Sequence, residues 1–386
     1  MFPGFLCSRF LRSFAAAASL VLVGVVALFP TNLALPFERL VTLNGSMGAQ
    51  HSFFNDERVR ELLLQHHIRV NVIRQGSIGA VTGDLDSLEF VFTSGDPAAQ
   101  FLLERLRAAG EYFSVHRSFV SPIVLATFRE YAETLHSAGV ATPQTTPDFD
   151  RPYFYKLDMA GFLALVRDQK SWNDLNGPDH GIENPNRVLA QTTNVCESNS
   201  GSTYVGMVSY VFHEYRVPTT DAETTDFASR IKPLIDPSLA VGDPDIYFTE
   251  GRRSTPIIVL YEHQYLAHQM KYREQSGQLD GDRVLLYSDP AAPAQAAFVA
   301  LNETAAKLGV LLSTDPDLCQ RAVELGQQVL DPTSEDHSEE LPALLAQRGV
   351  PVPSLPDAGV ALPKLPLLKK MIEVVDGHCI IGTRDG

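Results

Sequence analysis

The chain begins, after an apolar leader, with a strand–turn–helix–strand unit that restricts the folds open to it. Residues 40–46 (Leu-Val-Thr-Leu-Asn-Gly-Ser) are typical of a buried strand that ends in a small polar turn. A helix-forming run, Phe53–His66, and a second apolar strand, Ile68–Ile73, follow. In such a unit the turn places hydroxyls and backbone N–H groups at the carboxyl end of a strand, which is a natural position for a ligand.

The pattern of a strand followed by a hydroxyl-bearing turn recurs along the chain. Ser77 follows the second predicted strand, and Thr93 and Ser94 follow a third, Leu88–Phe92. Strand–helix alternation with short turns predicts an α/β fold built from mainly parallel, doubly wound sheets that are flanked by helices. Further strands are predicted at Pro122–Phe128, Arg187–Thr192, Ile257–Leu260 and Val284–Tyr287.

Length and composition limit the classes of protein. The 386 residues, 45% hydrophobic and 20% charged, predict a globular chain with room for two domains. The net charge of −15 argues against a nucleic-acid partner, because nucleic-acid binding needs a basic surface. An anionic ligand stays open, since a local site can differ from the overall field.

Residues 1–34 predict export to the periplasm or the extracellular space. Arg9 and Arg12 precede the apolar run Phe14–Phe29, whose length is typical of a secretory signal rather than of a spanning helix. Cleavage near Ala27 or Ala34 would release the protein, and an uncleaved leader would instead form an N-terminal membrane anchor.

Three cysteines lie beyond the leader, namely Cys196, Cys319 and Cys379. One disulfide fits an oxidising compartment, and Cys319–Cys379 is the preferred pair because Cys379 lies in an otherwise weakly anchored tail. Three free thiols are the alternative. No C-x-x-C occurs, so the sequence gives no support to a zinc ribbon or a thioredoxin-like site.

The order of segments resembles that of bacterial extracellular solute-binding proteins with the type 2 periplasmic-binding fold, the substrate-binding proteins of ABC importers. The resemblance spans about residues 38–330. It rests on the order and spacing of the segments rather than on any single motif. Four stretches show it: Asn44-Gly45-Ser46 with Phe53–Asp56, Ser121–Leu125, Ser198–Ser202 before an apolar helix, and Ile257–Gln264 followed by Val284–Tyr287.

The resemblance implies a two-lobed clamshell that closes on a ligand by a hinge motion. Lobe I would comprise residues 38–120 and 284–330, and lobe II residues 125–280. The Pro-rich, acidic segment 331–386 would be a linker and a tail that packs on lobe I. The resemblance also implies a monomer with no cofactor and with a membrane permease or another membrane protein as its partner.

Hydroxyl groups at the strand ends are the candidate ligand contacts, since they donate hydrogen bonds without adding charge. Each serine alone is also explained as a helix N-cap. Tyr261 and Gln264 lie where the resembled family often contacts ligand. The ligand-binding candidates are Gly45, Ser46, Ser77, Thr93, Ser94, Ser198, Ser200, Ser202, Tyr261 and Gln264.

The charge of the ligand is open at this stage. Arg74, Arg252 and Arg253 are candidate counter-charges for a carboxylate or an oxyanion. Asp96, Glu197 and Glu262 lie near the same turns and would repel a dianion if they faced the cleft, which would favour a neutral or amine-bearing ligand.

No enzyme or metal motif accompanies these turns. G-x-S-x-G, Walker A, G-x-G-x-x-G and H-E-x-x-H are all missing from the sequence, and His263 and His268 lack the spacing of a helical metal pair. We therefore expect a non-enzymatic, metal-free solute-binding protein that serves a membrane transporter. The alternatives are a membrane-tethered sensing or interaction module on the same fold, and a secreted enzyme that uses a hydroxyl such as Ser200.

Overall fold

The computed structural model describes residues 39–146, 148–249, 252–330, 339–379 and 381. These residues form an α/β protein with two five-stranded sheets, each flanked by helices, and one two-stranded sheet. The predicted fold class, an α/β protein in two lobes, is confirmed. The predicted leader lies outside the described residues, so its cleavage stays a prediction. Within the described ranges, no helix has both the length and the hydropathy needed to span a membrane.

The described residues form twelve short strands. In chain order they are β1 (Val41–Met47), β2 (Ile68–Arg74), β3 (Phe90–Thr93), β4 (Ser114–His116), β5 (Phe119–Val120), β6 (Ile123–Phe128), β7 (Ala141–Gln144), β8 (Phe154–Asp158), β9 (Ile257–Tyr261), β10 (Arg283–Asp289), β11 (Ala297–Ala300) and β12 (Gln328–Val329). Of these strands, β3, β5, β6, β9 and β11 are fully buried.

Fourteen α-helices are described, and three short 3₁₀ turns accompany them (Asn173–Leu175, Gly177–His180, Pro237–Leu239). The helices are α1 (His51–Asn55), α2 (Glu57–Gln65), α3 (Ser77–Thr82), α4 (Asp96–Ala109), α5 (Arg129–Ser137), α6 (Met159–Arg167), α7 (Asn199–Phe212), α8 (Asp221–Ile235), α9 (Ile246–Thr249), α10 (Glu262–Ser276), α11 (Glu303–Thr314), α12 (Pro316–Glu324), α13 (Glu340–Gln347) and α14 (Leu365–Asp376).

The first lobe is built on the sheet β2-β1-β3-β11-β4. β1 runs parallel to β2 and β3, and only β11 runs antiparallel to its neighbours. Two of the four strand pairings in this sheet are parallel, so the predicted parallel arrangement holds for β1–β3 but not for β11. Because β1–β3 point the same way, their carboxyl ends meet at one edge, where α1, α3 and α4 begin.

Aromatic side chains fill the core of the first lobe. Phe90 stacks on Phe298 with ring centroids 4.5 Å apart, and Phe54 meets the Phe90 ring at 5.8 Å. Gly45 leaves room for these rings, because a Cβ there would collide with Phe90. Gly45 is thus a packing residue of β1.

The second lobe is built on the sheet β7-β8-β10-β6-β9. Only β8 and β10 pair in parallel, and the other three pairings are antiparallel, so the prediction of a mainly parallel sheet is wrong for this lobe. Residues 187–192 were expected to form a strand, but they make only isolated bridges, at Arg187 and Gln191.

Two chain crossings join the two five-stranded sheets. The first leads from β4 through β5 into β6, and the second leads from β10 to β11. β10 pairs with β6 and β8, so residues 283–289 lie in the second lobe rather than in the first, where the sequence-based boundary placed them. β5 pairs with β12 beside the crossings.

α7 is the central helix of the second lobe. Twelve of its fourteen residues are buried, so it lacks a solvated face. The sequence analysis placed Ser198–Ser202 before an apolar helix. In the structure Ser198 is the N-cap of α7 and accepts a hydrogen bond from the Gly201 N–H at 3.0 Å, so residues 199–202 already form the first turn of the helix.

The C-terminal segment contacts both lobes. α13 lies against α12 and β12, whereas α14 lies mainly against α8 and α7 and touches α4. The expectation that the whole tail packs on lobe I is therefore wrong for α14. The acidic stretch 331–338 lies outside the described residues.

The disulfide joins Cys196 to Cys379, and Cys319 is free. The preferred pairing of Cys319 with Cys379 is therefore wrong. The reason is the course of the tail, since α14 carries Cys379 to the turn before α7. Cys319 lies on α12, where its Sγ is 3.8 Å from the Leu312 carbonyl oxygen.

Candidate ligand-binding site

A cavity of about 340 Å³ lies between the two lobes at the carboxyl ends of β1–β3. Its volume falls within the range of small-molecule sites, about 300–1,000 Å³. Both lobes contribute residues to its wall. The lining residues are Gly48, Ala49, His51, Arg74, Gln75, Gly76, Ser77, Ser94, Thr193, Asn194, Glu197, Ser198, Asn199, Ser200, Val241, Gly242, Pro244, Leu260, Tyr261 and Gln264.

Three strand ends form the first-lobe wall. The Ser94 N–H donates to Ser77 Oγ at 3.3 Å, and the two hydroxyl oxygens lie 3.4 Å apart. Gly48 brings the backbone close to this pair, because a Cβ there would lie 2.9 Å from Ser77 Oγ. The turns after β1, β2 and β3 thus meet at one hydroxyl pair.

The second-lobe wall is the N-terminal turn of α7 and the residues before it. The hydroxyl oxygens of Thr193 and Ser200 lie 2.9 Å apart, and Thr193 also contacts the Ser198 hydroxyl. Ser200 is 7% exposed, so its hydroxyl is almost entirely enclosed by protein and cavity. Hydroxyls of this kind can rotate to donate to a bound group or accept from it.

Tyr261 connects the two walls. Its hydroxyl accepts a hydrogen bond from Asn199 Nδ2 at 3.2 Å and also meets the hydroxyls of Ser94 and Ser200. Burial raises the pKa of Tyr261 to about 12, while these hydrogen bonds act in the opposite direction. The phenol therefore stays neutral at physiological pH and serves as a hydrogen-bonding group.

The lobes touch each other at the edge of the cavity. The N–H groups of Ile78 and Gly79, in the first turn of α3, donate to the Glu197 carbonyl oxygen at 2.8 and 3.2 Å. The Ala98 N–H donates to Asn199 Oδ1 at 3.3 Å. Since Ile78, Gly79 and Ala98 belong to the first lobe and their acceptors to the second, the cleft is closed in this structure.

Among the described residues that line the cavity, Arg74 is the one arginine or lysine, and its guanidinium is paired. Arg74 Nη2 lies 2.9 Å from Asp243 Oδ2, an ion pair that crosses the cleft. Glu197 also lines the cavity, and Gln264 Nε2 donates to Asp245 Oδ1 at 3.0 Å. The surroundings are therefore acidic, apart from His51 and the paired Arg74.

Six of the ten sequence-predicted ligand contacts line the cavity: Ser77, Ser94, Ser198, Ser200, Tyr261 and Gln264. Four do not line it. Thr93 donates to the Ala297 carbonyl oxygen at 3.3 Å, and Ser202 donates to that of Asn199 at 3.0 Å. Gly45 faces Phe90, and Ser46 is buried in β1.

The strand end explains the misplacement of Ser46. β1 continues to Met47, so the turn that reaches the cavity is Gly48-Ala49 and not Asn44–Ser46. Among the acids, Asp96 pairs with Arg117 at 2.6 Å and Glu262 is fully buried, which leaves Glu197 in the cavity wall. Arg252 pairs with Glu130 and Asp282 on the surface of the second lobe.

Several lining residues escaped the sequence analysis. Thr193 and Asn194 precede the recognised Ser198–Ser202 stretch, and Asn199 lies within it. These residues are polar and lie between two apolar segments, and this pattern could have identified them as ligand contacts. Gly242 and Pro244 come from a loop that no pattern connected with the cleft.

The described residues offer one cluster of potential metal ligands, Cys196, Asp376 and Cys379. Its two sulfurs are joined in the disulfide, so the cluster is not a metal site. It also lies outside the cavity wall.

No family model and no curated protein sequence matches the chain. Solved structures resemble it at low identity. The substrate-binding protein of an ABC transporter from Agrobacterium tumefaciens is 10% identical, with a TM-score of 0.48 over 88% of this chain and 96% of that one. Ferric ion-binding protein A from Pasteurella haemolytica is 11% identical, with a TM-score of 0.48 over 87% and 97%.

The sulfate-binding protein SubI from Mycobacterium tuberculosis is 13% identical, with a TM-score of 0.40 over 83% of this chain and 94% of that one. All three solved structures are binding proteins, and one is a substrate-binding protein of an ABC transporter.

Proposed function

We propose that the protein is an exported solute-binding protein that encloses one small polar solute between its lobes and presents it to a membrane transporter. One observation carries the proposal. Hydroxyls from both lobes, Ser77 and Ser94 on one side and Thr193 and Ser200 on the other, face a single cavity beside the Tyr261 hydroxyl. A group that binds there holds the lobes together, which is how a clamshell couples binding to closure.

The charges favour an uncharged or amine-bearing solute over a dianion. Arg74 is neutralised by Asp243, and Glu197 adds a negative charge to the wall. Sulfate or phosphate would have to displace the Arg74–Asp243 pair and approach Glu197. A neutral or amine-bearing solute with several hydroxyl or amide groups can bond to the hydroxyls and amides of the wall without displacing this ion pair.

The leader and the disulfide, which fits an oxidising compartment, support export. Presentation to a membrane transporter rests on the resemblance of the sequence to substrate-binding proteins of ABC importers. The alternative of a membrane-tethered sensing module differs in the fate of residues 1–34. Detecting intact residues 1–34 in the membrane fraction would favour the tethered form.

Thermal unfolding with defined probes tests the site. D-glucose, D-ribose, L-glutamine and putrescine represent neutral and amine-bearing solutes, and sulfate and phosphate represent dianions. A probe at 100 times its Kd adds about 2.7 kcal/mol to the free energy of unfolding and raises Tm by several degrees. We expect a rise with at least one member of the first group and none with sulfate or phosphate.

Ser200→Ala should remove most of that rise. Ser229→Ala is the matched control, because Ser229 is an exposed residue of α8 whose hydroxyl bonds within its own helix. A rise with sulfate or phosphate alone would overturn the proposed ligand class. A rise that Ser200→Ala leaves unchanged would overturn the proposed site.

A further inference from the structure

The disulfide ties the wall of the cavity to the end of the chain. Cys196 lies in the turn 194–198 before α7, and Cys379 follows α14, 183 residues later in the sequence. Asn194, Glu197 and Ser198 of this turn line the cavity. We call residues 194–198 the cleft turn.

The cleft turn accepts two hydrogen bonds from the first lobe. The Glu197 carbonyl oxygen accepts both N–H bonds from the first turn of α3, and a Cβ on Gly76 would collide with that carbonyl. A shift of the cleft turn by about 1 Å would therefore break two cross-lobe hydrogen bonds, since N–H···O bonds are limited to about 3.2 Å.

Noncovalent bonds within the cleft turn are mostly local. Asn194 Oδ1 accepts from the Cys196 N–H at 2.9 Å, and the Asn194 carbonyl accepts from the Ser198 N–H at 2.9 Å. Val195 is buried in the core of the second lobe and Ser198 caps α7, so both residues fix the turn to that lobe. Cys196 lies between them and is half-buried. The disulfide supplies a link from the turn to a distant element.

The other end of the disulfide is anchored firmly. Lys232 Nζ of α8 donates to the carbonyl oxygens of Val374 and Asp376 at 3.3 and 3.4 Å. Asp376 Oδ1 accepts the Cys379 N–H at 2.8 Å, and the Ile381 N–H donates to Glu373 Oε1 at 2.9 Å. Cys379 thus lies on a terminal turn fixed to the second lobe.

We propose that the Cys196–Cys379 disulfide is a redox-sensitive tether that sets the position of the cleft turn, so that its reduction loosens the closed cleft. Both cysteines are only half-buried, within reach of a small dithiol. Reduction by a dithiol breaks the Sγ–Sγ bond and gives two thiols, while the reductant loses two electrons and two protons and closes its own disulfide. The effect on solute affinity rests on the proposed function, whereas the effect on the cross-lobe bonds does not.

Hydrogen–deuterium exchange of the full chain in D₂O, with and without dithiothreitol, tests the tether without any solute. We expect the Ile78 and Gly79 amides to exchange at least tenfold faster after reduction, because their acceptor moves away. Amides of β8 and β10 should keep their rates. Unchanged rates at Ile78 and Gly79, or equal acceleration in β8 and β10, would overturn the proposal.

Variants separate the tether from other thiol effects. Cys196→Ser should reproduce the reduced pattern without dithiothreitol, and Cys319→Ser, which alters a thiol outside the disulfide, should behave as the oxidised protein. If Cys196→Ser does not fold, reduction of the folded wild-type protein remains the deciding measurement.

The effect of reduction on solute affinity distinguishes the proposed tether from the proposed solute-binding function. If a probe of the thermal panel binds, reduction should weaken its affinity about tenfold, and an unchanged affinity would overturn the redox control of binding. If no probe binds but the Ile78 and Gly79 amides respond, the tether stands and the proposed solute class fails.

Discussion

Tyr261 and Glu262 are consecutive residues with opposite surroundings. Tyr261 ends β9 and directs its hydroxyl into the cavity, among Asn199, Ser94 and Ser200. Glu262 begins α10 and is fully buried away from the cavity, where its carboxyl oxygens accept from Tyr287 at 2.7 Å and from Gln328 at 2.9 Å. These two adjacent residues therefore have different roles: Tyr261 is a candidate ligand contact, and Glu262 belongs to a buried cluster with Tyr287 and Gln328, which we call the Glu262 cluster.

The difference shows how burial acts on two kinds of polar group. The phenol of Tyr261 is neutral, so burial leaves it a hydrogen-bonding group. Among the described residues the carboxyl of Glu262 has two hydrogen-bond donors and no paired cation, and burial raises its pKa to about 7. The cavity can satisfy its polar groups with a solute, whereas the Glu262 cluster is satisfied internally and loses stability when it ionises.

The largest expected effect is that of Glu262→Gln on the pH dependence of stability. Because the folded-state pKa is raised from 4.5 to about 7, the folded protein binds the proton more tightly than the unfolded chain does. Wild-type stability therefore falls as pH rises from about 4.5 to 7, by about 3 kcal/mol. The glutamine keeps the shape of the neutral acid without this loss, so the two unfolding free energies should agree near pH 4 and diverge by pH 8. Urea unfolding at both pH values measures the difference.

Glu274→Gln is the matched control, since Glu274 is an exposed residue of the same helix. It should change the free energy of unfolding by less than about 0.5 kcal/mol at either pH. Equal stability of wild type and Glu262→Gln at pH 8 would show that the buried carboxyl is not a source of instability.

Much of the fold could be predicted from the sequence because the elements are locally consistent. β2 and β9 begin at the predicted residues, Ile68 and Ile257, and each ends one residue beyond its predicted end. Strand pairing could not be predicted in this way. The antiparallel partners of β6 lie more than a hundred residues away along the chain, and only the tertiary fold brings them together.

The candidate site was predicted as a set of residues at strand ends. The errors come from the exact residue at which a strand ends. The turn was predicted at Asn44–Ser46, but β1 continues to Met47, so Gly45 and Ser46 lie within the strand and not at the cavity. The disulfide was mispaired for a different reason, since the course of α14 over the second lobe has no local signal in the sequence.

A second, smaller effect is expected at Asn199, which belongs to the cavity side of the comparison. Its amide accepts from the Ala98 N–H and donates to the Tyr261 hydroxyl, and it is 2% exposed. Asn199→Ala leaves two buried groups without these partners and should cost about 2 kcal/mol in urea unfolding. Asn71→Ala is the control, because the Asn71 amide is exposed and bonds to Asn44 within one lobe. An equal loss of unfolding free energy in both variants would show that the Asn199 side chain does not stabilise the contact between the lobes.

The smallest expected effect is at the exposed pair Arg74–Asp243, and it sharpens the distinction between a neutral and an anionic cavity. Both side chains are about half-exposed, so Arg74→Gln should change the free energy of unfolding by less than about 1 kcal/mol. Asp243→Asn is more informative, because it leaves the Arg74 guanidinium unpaired beside the cavity. Calorimetric titration should then detect weak sulfate binding that the wild type lacks, and Arg74→Gln combined with Asp243→Asn should abolish it. Sulfate binding of equal strength in the wild type would mean that the Asp243 carboxylate does not neutralise Arg74, and the cavity would then be an anion site.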